Sequence, residues 1–133
     1  MILVVDASVA AKWVLPEKDA DIATALRDGA EALIAPDLIV AEVGSAVWKR
    51  ARRKELSRGQ AREAISLASG LLSQLHPIPP LAEHALELAI DLKHPIYDCF
   101  YLALALRENA TLVTADARMS TAAKEARVKV RML

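Results

Sequence analysis

One cysteine, Cys99, stands in 133 residues, so no intrachain disulfide can form and a cysteine-ligated zinc site is excluded. No apolar stretch approaches the roughly 18 residues that a membrane span requires. The opening residues carry no basic leader and are interrupted by Asp6 and Lys12. A secretory signal is therefore not expected there, and the cytoplasm is the expected compartment. Glycine (4) and proline (6) are scarce beside 54% hydrophobic and 26% charged residues, which excludes collagen-like, low-complexity and disordered chains. Aromatics are few, and Trp13, Trp48, Tyr97 and Tyr101 read first as packing residues rather than as platforms for bases. Net charge is zero, so the field of the whole molecule offers no argument for nucleic acid. What remains is a single domain over residues 1–133, long enough to bury about two thirds of its unfolded surface.

Elements alternate along the chain. Residues 2–5 are an unbroken β-branched run, as in a central strand buried on both faces of a parallel sheet. A short helix is expected over 9–14, stopped by Pro16. Another follows over 19–27, with Asp19 as N-cap and Gly29 as the stop. A strand over 32–35 leads through Pro36-Asp37 into a helix reaching about residue 54. A second helix over 57–72, capped by Ser57, makes a helical hairpin with it. A weak strand over 75–78 precedes a helix over 81–92, ended by Pro95. Residues 96–107 are apolar almost all round, which predicts a buried helix. A strand over 111–114, a helix near 119–126 and an edge strand over 128–130 complete the order. The pattern is that of an α/β sandwich around a mainly parallel sheet of four to five strands.

Four acidic residues sit where apolar segments begin or end. Asp6 and Asp116 follow strands, at the carboxyl ends where open parallel sheets place their working crevice. Taken singly, either is an ordinary turn or cap residue. Glu42 lies at the border of the stripe made by Leu38, Ile39, Val43, Ala46 and Val47, so its carboxylate reaches the rim of the core. Asp98 is flanked by Ile96, Tyr97, Cys99 and Phe100, where an uncompensated charge is costly. The dipole of its helix returns about 0.3 to 1 kcal/mol, small beside the several that burying an ion costs. A metal or a hydrogen-bond network is needed.

Two carboxylates 4 Å apart repel by about 4 kcal/mol at an effective dielectric near 20, so a cluster of four calls for a cation or protons. Oxygen ligands without Cys or His select Mg²⁺ or Mn²⁺. His76 and His94 adjoin prolines in expected loops and His84 lies on a polar helix face, so none is expected to ligate. The Ser8 and Thr114 hydroxyls are placed to orient a carboxylate, a water or a phosphate oxygen. Lys49, Arg50, Arg52, Arg53, Lys54, Arg58 and Arg62 fall within 14 residues, either a solvated helix end or a local positive patch. Of these, Lys49, Arg50, Arg52 and Arg53 are candidate contacts to an RNA backbone.

VVDASV, PDLIVAEVGSAVWK, YDCFYLALA and TLVTADARM resemble, in order and spacing, the four motifs of PIN-domain proteins, and the opening DASVAAKWVLPE is most similar to VapC-type toxins. The resemblance spans nearly the whole chain. It implies a three-layer α/β/α sandwich and a Mg²⁺- or Mn²⁺-dependent endoribonuclease. It also implies a homodimer and a VapB-type antitoxin whose tail enters the acidic cleft. By motif position, Asp6, Glu42, Asp98 and Asp116 become the catalytic and metal-binding residues, with Ser8 and Thr114 as accessory hydroxyls. Two departures stand out: Ser45 where many relatives have Asn, and Met119 where an aromatic is common. The first removes a supporting hydrogen bond and implies weaker metal binding or slower cleavage.

Two rivals compete with the ribonuclease. A metal-dependent phosphatase also places Asp after a first strand, but here Ala7 and Ser8 follow Asp6, with no second Asp two positions on, and no lysine follows the strand at 111–114. A non-catalytic RNA-binding or protein-interaction module would use the basic stretch, leaving the carboxylates as caps. The apolar face around Trp13, Val14 and Leu15 would suit a partner subunit as well as a core.

Overall fold

The computed structural model describes every residue except 17–19, 30 and 31, so the expected cap at Asp19 lies outside the described residues. Strand β1 (Ile2–Val5) is the middle of a five-stranded sheet of order β3-β2-β1-β4-β5, with β2 (Ala32–Pro36), β3 (Gln74–His76), β4 (Thr111–Thr114) and β5 (Val130–Met132). All four pairings are parallel, with Val4 opposite both Ile34 and Leu112. Alternation along the central strands divides the core. Leu3, Val5, Leu33 and Val113 face one layer, packed with Val9 of α1 (Ala7–Val14) and Leu26 of α2 (Ala20–Gly29). Val4, Ile34 and Leu112 join the larger cluster, in which α6 (Ile96–Glu108) is buried continuously from Cys99 to Ala105.

The hairpin of α3 (Leu38–Arg52) and α4 (Arg58–Gly70) forms as expected. Ser57 accepts from the Gln60 backbone N–H at 3.1 Å while the Gln60 side chain accepts from the Ser57 N–H at 2.8 Å, a reciprocal capping box. Gly44 lets the two helices close, since a Cβ there would lie 3.0 Å from Ile65 Cδ1. Leu15 is buried in the larger cluster and Trp13 and Val14 pack against it, so the face that could have served a partner belongs to this chain's core.

Several boundaries move for local reasons. Helix α1 starts at Ala7 because Asp6 is its cap, and α7 (Ala117–Glu125) starts earlier than expected because Asp116 is its cap. Strand β3 stops at His76, since Pro77 has no N–H to donate and Pro79–Leu81 form a 3₁₀ turn leading into α5 (Ala82–Leu92). The last strand runs over Val130–Met132 rather than 128–130, because the Val128 N–H bonds back to Ala123 O at 2.8 Å and Arg127 takes a left-handed φ of 61° to allow it. Among the described residues, no helix is long and apolar enough to cross a membrane.

Candidate active site

From β1 the chain goes to β2 on one side, and only later to β4 on the other. The strand order therefore reverses between β1 and β4, and Asp6 follows the first of these directly. Asp6 is 5% exposed. Oδ1 accepts from Ser8 Oγ at 2.5 Å and from the Val9 N–H at 3.2 Å, and Oδ2 accepts from the Thr114 hydroxyl. Ser8 also accepts from the Ala115 N–H at 2.9 Å, and Thr114 Oγ1 from the Asp116 N–H at 3.0 Å. The two hydroxyls thus tie the ends of β1 and β4 together through one carboxylate. Both expected accessory residues orient Asp6, and its capping of α1 coexists with this role.

Glu42, half-buried on α3, accepts at Oε1 from the Tyr101 hydroxyl at 2.6 Å. Tyr101 comes from the fully buried stretch of α6, so core packing fixes this donor. Asp98, in the first turn of the same helix, lies with Oδ2 2.7 Å from His94 Nε2. Residue periodicity had pointed to neither partner: Tyr101 reads as plain core, and His94 precedes the proline that starts the helix. The signal was the i, i+4 spacing from His94 to Asp98, carried across Pro95.

Electrostatics link these groups. Burial pushes the Asp6 carboxyl above its ordinary range, against the lowering effect of its hydrogen bonds, and the charge of Asp98 adds to the rise. Burial also raises Glu42, partly offset by the Tyr101 hydroxyl, with Asp98 and Asp6 pushing further upward. The Cys99 thiol is raised to about 11 by burial and by Asp98, and the Tyr101 phenol is raised by burial and by Glu42, Asp6 and Asp98. Among the described residues, no cation contributes to the shift of either Asp6 or Glu42. Negative charge has been gathered at one place and, among the described residues, only hydrogen bonds answer it.

The donor chemistry, carboxylate and hydroxyl oxygens, suits a hard divalent ion. Among the described residues, however, no three Asp, Glu, His or Cys side chains close around one point. The four expected residues, Asp6, Glu42, Asp98 and Asp116, therefore form no such group as the side chains stand. What the residues fit is an ion held by one or two carboxylates, with water and substrate phosphate in its other positions, the usual manner of Mg²⁺.

The sequence profile of the PIN domain matches residues 3–125. The chain belongs to the PIN-domain family. Ribonuclease VapC9 of Mycobacterium tuberculosis strain H37Rv is 35% identical over 118 residues, covering 89% of this chain and 88% of that protein. The same architecture recurs in VapC20 of M. tuberculosis, described as a sarcin-ricin loop cleaving toxin, with a TM-score of 0.72 at 14% identity over 90% of this chain and 94% of that one. It recurs again in VapBC2 from Rickettsia felis, solved with a DNA fragment from its promoter, with a TM-score of 0.72 at 16% identity over 100% and 99%.

In this PIN domain Asp116 differs from the other three carboxylates in its exposure. It is exposed, and its Oδ1 accepts from the Arg118 N–H at 2.9 Å as the cap of α7. Its link to the centre is the backbone N–H that supports Thr114. Ser45 is exposed beside Glu42 and borders two adjoining depressions. One, of about 400 Å³, also holds Ala7, Ser8, Glu42 and Lys49; the other, of about 380 Å³, holds Leu38, Ala41, Glu42 and Tyr97. Met119 is buried and fills core volume instead.

The basic residues divide by position. Lys49 reaches the groove. Arg50 pairs with Glu55 at 3.4 Å and donates to Pro16 O at 3.3 Å, while Arg52 lies 4.7 Å over the ring of Trp48. Arg53 caps the end of α3. The four aromatics do not share one role: Tyr101 packs and Trp13 is half-buried, whereas Trp48 and Tyr97 are 56% and 61% exposed. Trp48 lies on the solvent side of α3 and Tyr97 at the outer start of α6, so for these two the packing expectation is corrected. His76 ends strand β3 rather than lying in a loop, and its Nδ1 accepts from Arg107 Nη2 at 2.9 Å.

Proposed function

We propose that this PIN domain is a Mg²⁺- or Mn²⁺-dependent endoribonuclease of the VapC type, the toxin of a toxin–antitoxin pair. The observation that carries the reading is the buried Asp6 carboxylate at the strand-order reversal, where the charge of Asp98 pushes both Asp6 and Glu42 upward and no cation among the described residues offsets either shift. The relatives named ribonuclease VapC supply the substrate class, and the VapBC2 complex supports a VapB-type antitoxin as partner. Homodimerisation belongs to the same proposal, as does a cytoplasmic location.

Asp6 and Asp98 would hold the ion, with Asp116 contributing from the rim through its exposed carboxylate. The ion supplies Lewis acidity toward the scissile phosphate and its attacking water. Ser8 and Thr114 keep Asp6 from rotating, and Tyr101 keeps Glu42 in one orientation, where its second oxygen can align or deprotonate that water. Lys49 borders the groove and is positioned for a backbone phosphate.

The capping bonds made by Asp6 and Asp116 favour the interaction-module rival, but Glu42 and Asp98 cap nothing among the described residues, and their clustering needs another explanation. The test incubates purified protein with a structured RNA and Mn²⁺ or Mg²⁺, with p-nitrophenyl phosphate in parallel. RNA cleavage that disappears in a folded Asp6→Asn variant supports the proposal. Absence of cleavage together with absence of metal binding in calorimetry overturns it, and turnover of the small ester alone turns it toward a phosphatase.

A further inference from the structure

The connection between α5 and α6 is short and rigid at both ends. Lys93 closes α5 in the left-handed region at φ 53°, and Pro95 sets the start of α6 at φ −55°. His94, between them, is pinned at both backbone groups: its N–H bonds Ala89 O at 3.2 Å and its carbonyl accepts from the Cys99 thiol at 4.0 Å. A histidine in a surface connection would ordinarily stand in solvent. This one is turned inward until its side chain is 11% exposed, with Nε2 2.7 Å from Asp98 Oδ2. Ordering an imidazole in this way costs rotamer entropy and hydration, and the hydrogen bond to Asp98 is what returns it.

A carboxylate oxygen accepts, so Nε2 carries the proton of this bond. Among the described residues, only Oδ2 of Asp98 is hydrogen-bonded. The contact therefore fixes the plane of the carboxylate while leaving its other oxygen uncommitted. Asp98 needs such a brace more than its neighbours do: Asp6 is gripped at both oxygens and Glu42 is held by a buried phenol, whereas Asp98 is 32% exposed and otherwise free to rotate.

The geometry points to His94 as a positioning residue that acts through Asp98, presetting one carboxylate oxygen for a divalent ion by an Nε2–H hydrogen bond to the other. This rests on the metal-dependent reading above. Partners that orient a ligand in this way are worth roughly 10- to 100-fold in metal affinity or turnover when removed.

The test compares wild type, His94→Ala and His94→Gln, the last because a glutamine amide N–H can stand where Nε2–H stands. Mn²⁺ affinity is measured by calorimetry without RNA, kcat and KM are measured on one RNA, and Tm is recorded without metal. The expected result is an Ala variant with Mn²⁺ affinity and kcat lowered about tenfold or more and KM nearly unchanged. Gln should recover most of both, whatever the two Tm values are. Equal losses in Ala and Gln that follow Tm would mean His94 merely holds the connection, and unchanged Mn²⁺ affinity in Ala would also overturn the inference. If wild type binds Mn²⁺ and cleaves RNA while Ala matches it, only the role of His94 falls. If wild type does neither, the reading beneath it falls as well.

Discussion

The acidic groove and the basic end of α3 lie close together in the fold and are built on opposite electrostatic plans. At the end of α3, Arg50 has Glu55 and a backbone carbonyl, Arg52 has the face of Trp48, and the helix dipole favours all of them. In the groove, Asp98 raises the proton affinity of Asp6, Glu42 and Cys99, Asp6 raises that of Glu42, and no cation among the described residues offsets the shifts of Asp6 and Glu42. The first arrangement stabilises the fold. The second costs stability, and folds retain that kind of cost at sites where the charge is used.

Breaking the acidic side should have the largest effect. In Asp6→Asn the buried charge disappears while an amide oxygen remains for Ser8 and Val9. RNA cleavage is expected to fall by more than about a hundredfold, beyond the loss typical of a group that only supports a metal ligand. The metal-free fold should at the same time gain about 1 kcal/mol, roughly 3 to 5 °C for a domain of this size. Cleavage assays and thermal melts on one preparation check both, and a variant that is inactive and also less stable would remove the contrast.

Metal should reverse the sign for wild type. Mn²⁺ at a hundred times its Kd is expected to stabilise by about 2.7 kcal/mol, on the order of 10 °C, and chelation should undo it. Asp6→Asn should show little of this shift. A melt of wild type that Mn²⁺ does not move would leave the groove's charge without a function.

The sign of the pH dependence follows from the same plan. Asp6 and Glu42 have folded values raised above the ordinary 3.8 and 4.5. Between those values and the raised ones the folded state binds more protons than the unfolded state, so these two groups make stability fall as pH rises through that window. Tyr101→Phe sharpens this. The lost hydroxyl donates to the charged form of Glu42, so its removal should raise the Glu42 carboxyl further and move the acidic limb of the pH–rate profile to higher pH. Turnover at neutral pH should fall about tenfold. An unmoved acidic limb would assign that limb to another group.

The fold was largely legible because strand and helix periods are strong here. The β-branched run of Ile2–Val5 and the apolar turns of α6 can be satisfied in few other ways. The carboxylates were legible as positions, and Asp6, Glu42 and Asp98 do share one field. What periodicity could not reach were the partners. Tyr101 looks like any core aromatic until the tertiary fold puts Glu42 of α3 at its hydroxyl, and that contact spans 59 residues of chain. Trp48 and Tyr97 misled for the converse reason: composition says how many aromatics there are, and only the helix faces left unpacked say which ones stay in water. Asp116 shares a strand-end position with Asp6, but it sits two residues beyond the hydroxyl that faces Asp6, and its side chain turns to its own helix.

The smallest expected effect separates two adjacent cations. Lys49 borders the groove with Glu42 and Ser8, whereas Arg50, one residue later, is turned to Glu55 and Pro16. If only the groove carries RNA, Lys49→Ala should weaken RNA binding and lower the slope of log affinity against log salt by about 0.7, the value of one single-strand phosphate contact. Arg50→Ala should leave that slope alone and cost about 0.2 to 1 kcal/mol of stability, as expected for a partly exposed ion pair. Binding titrations at several salt concentrations, beside urea melts, read both quantities. A salt slope that drops in Arg50→Ala and not in Lys49→Ala would move the RNA path off the groove and onto the end of the helix, where Arg50 and Arg52 already have structural partners.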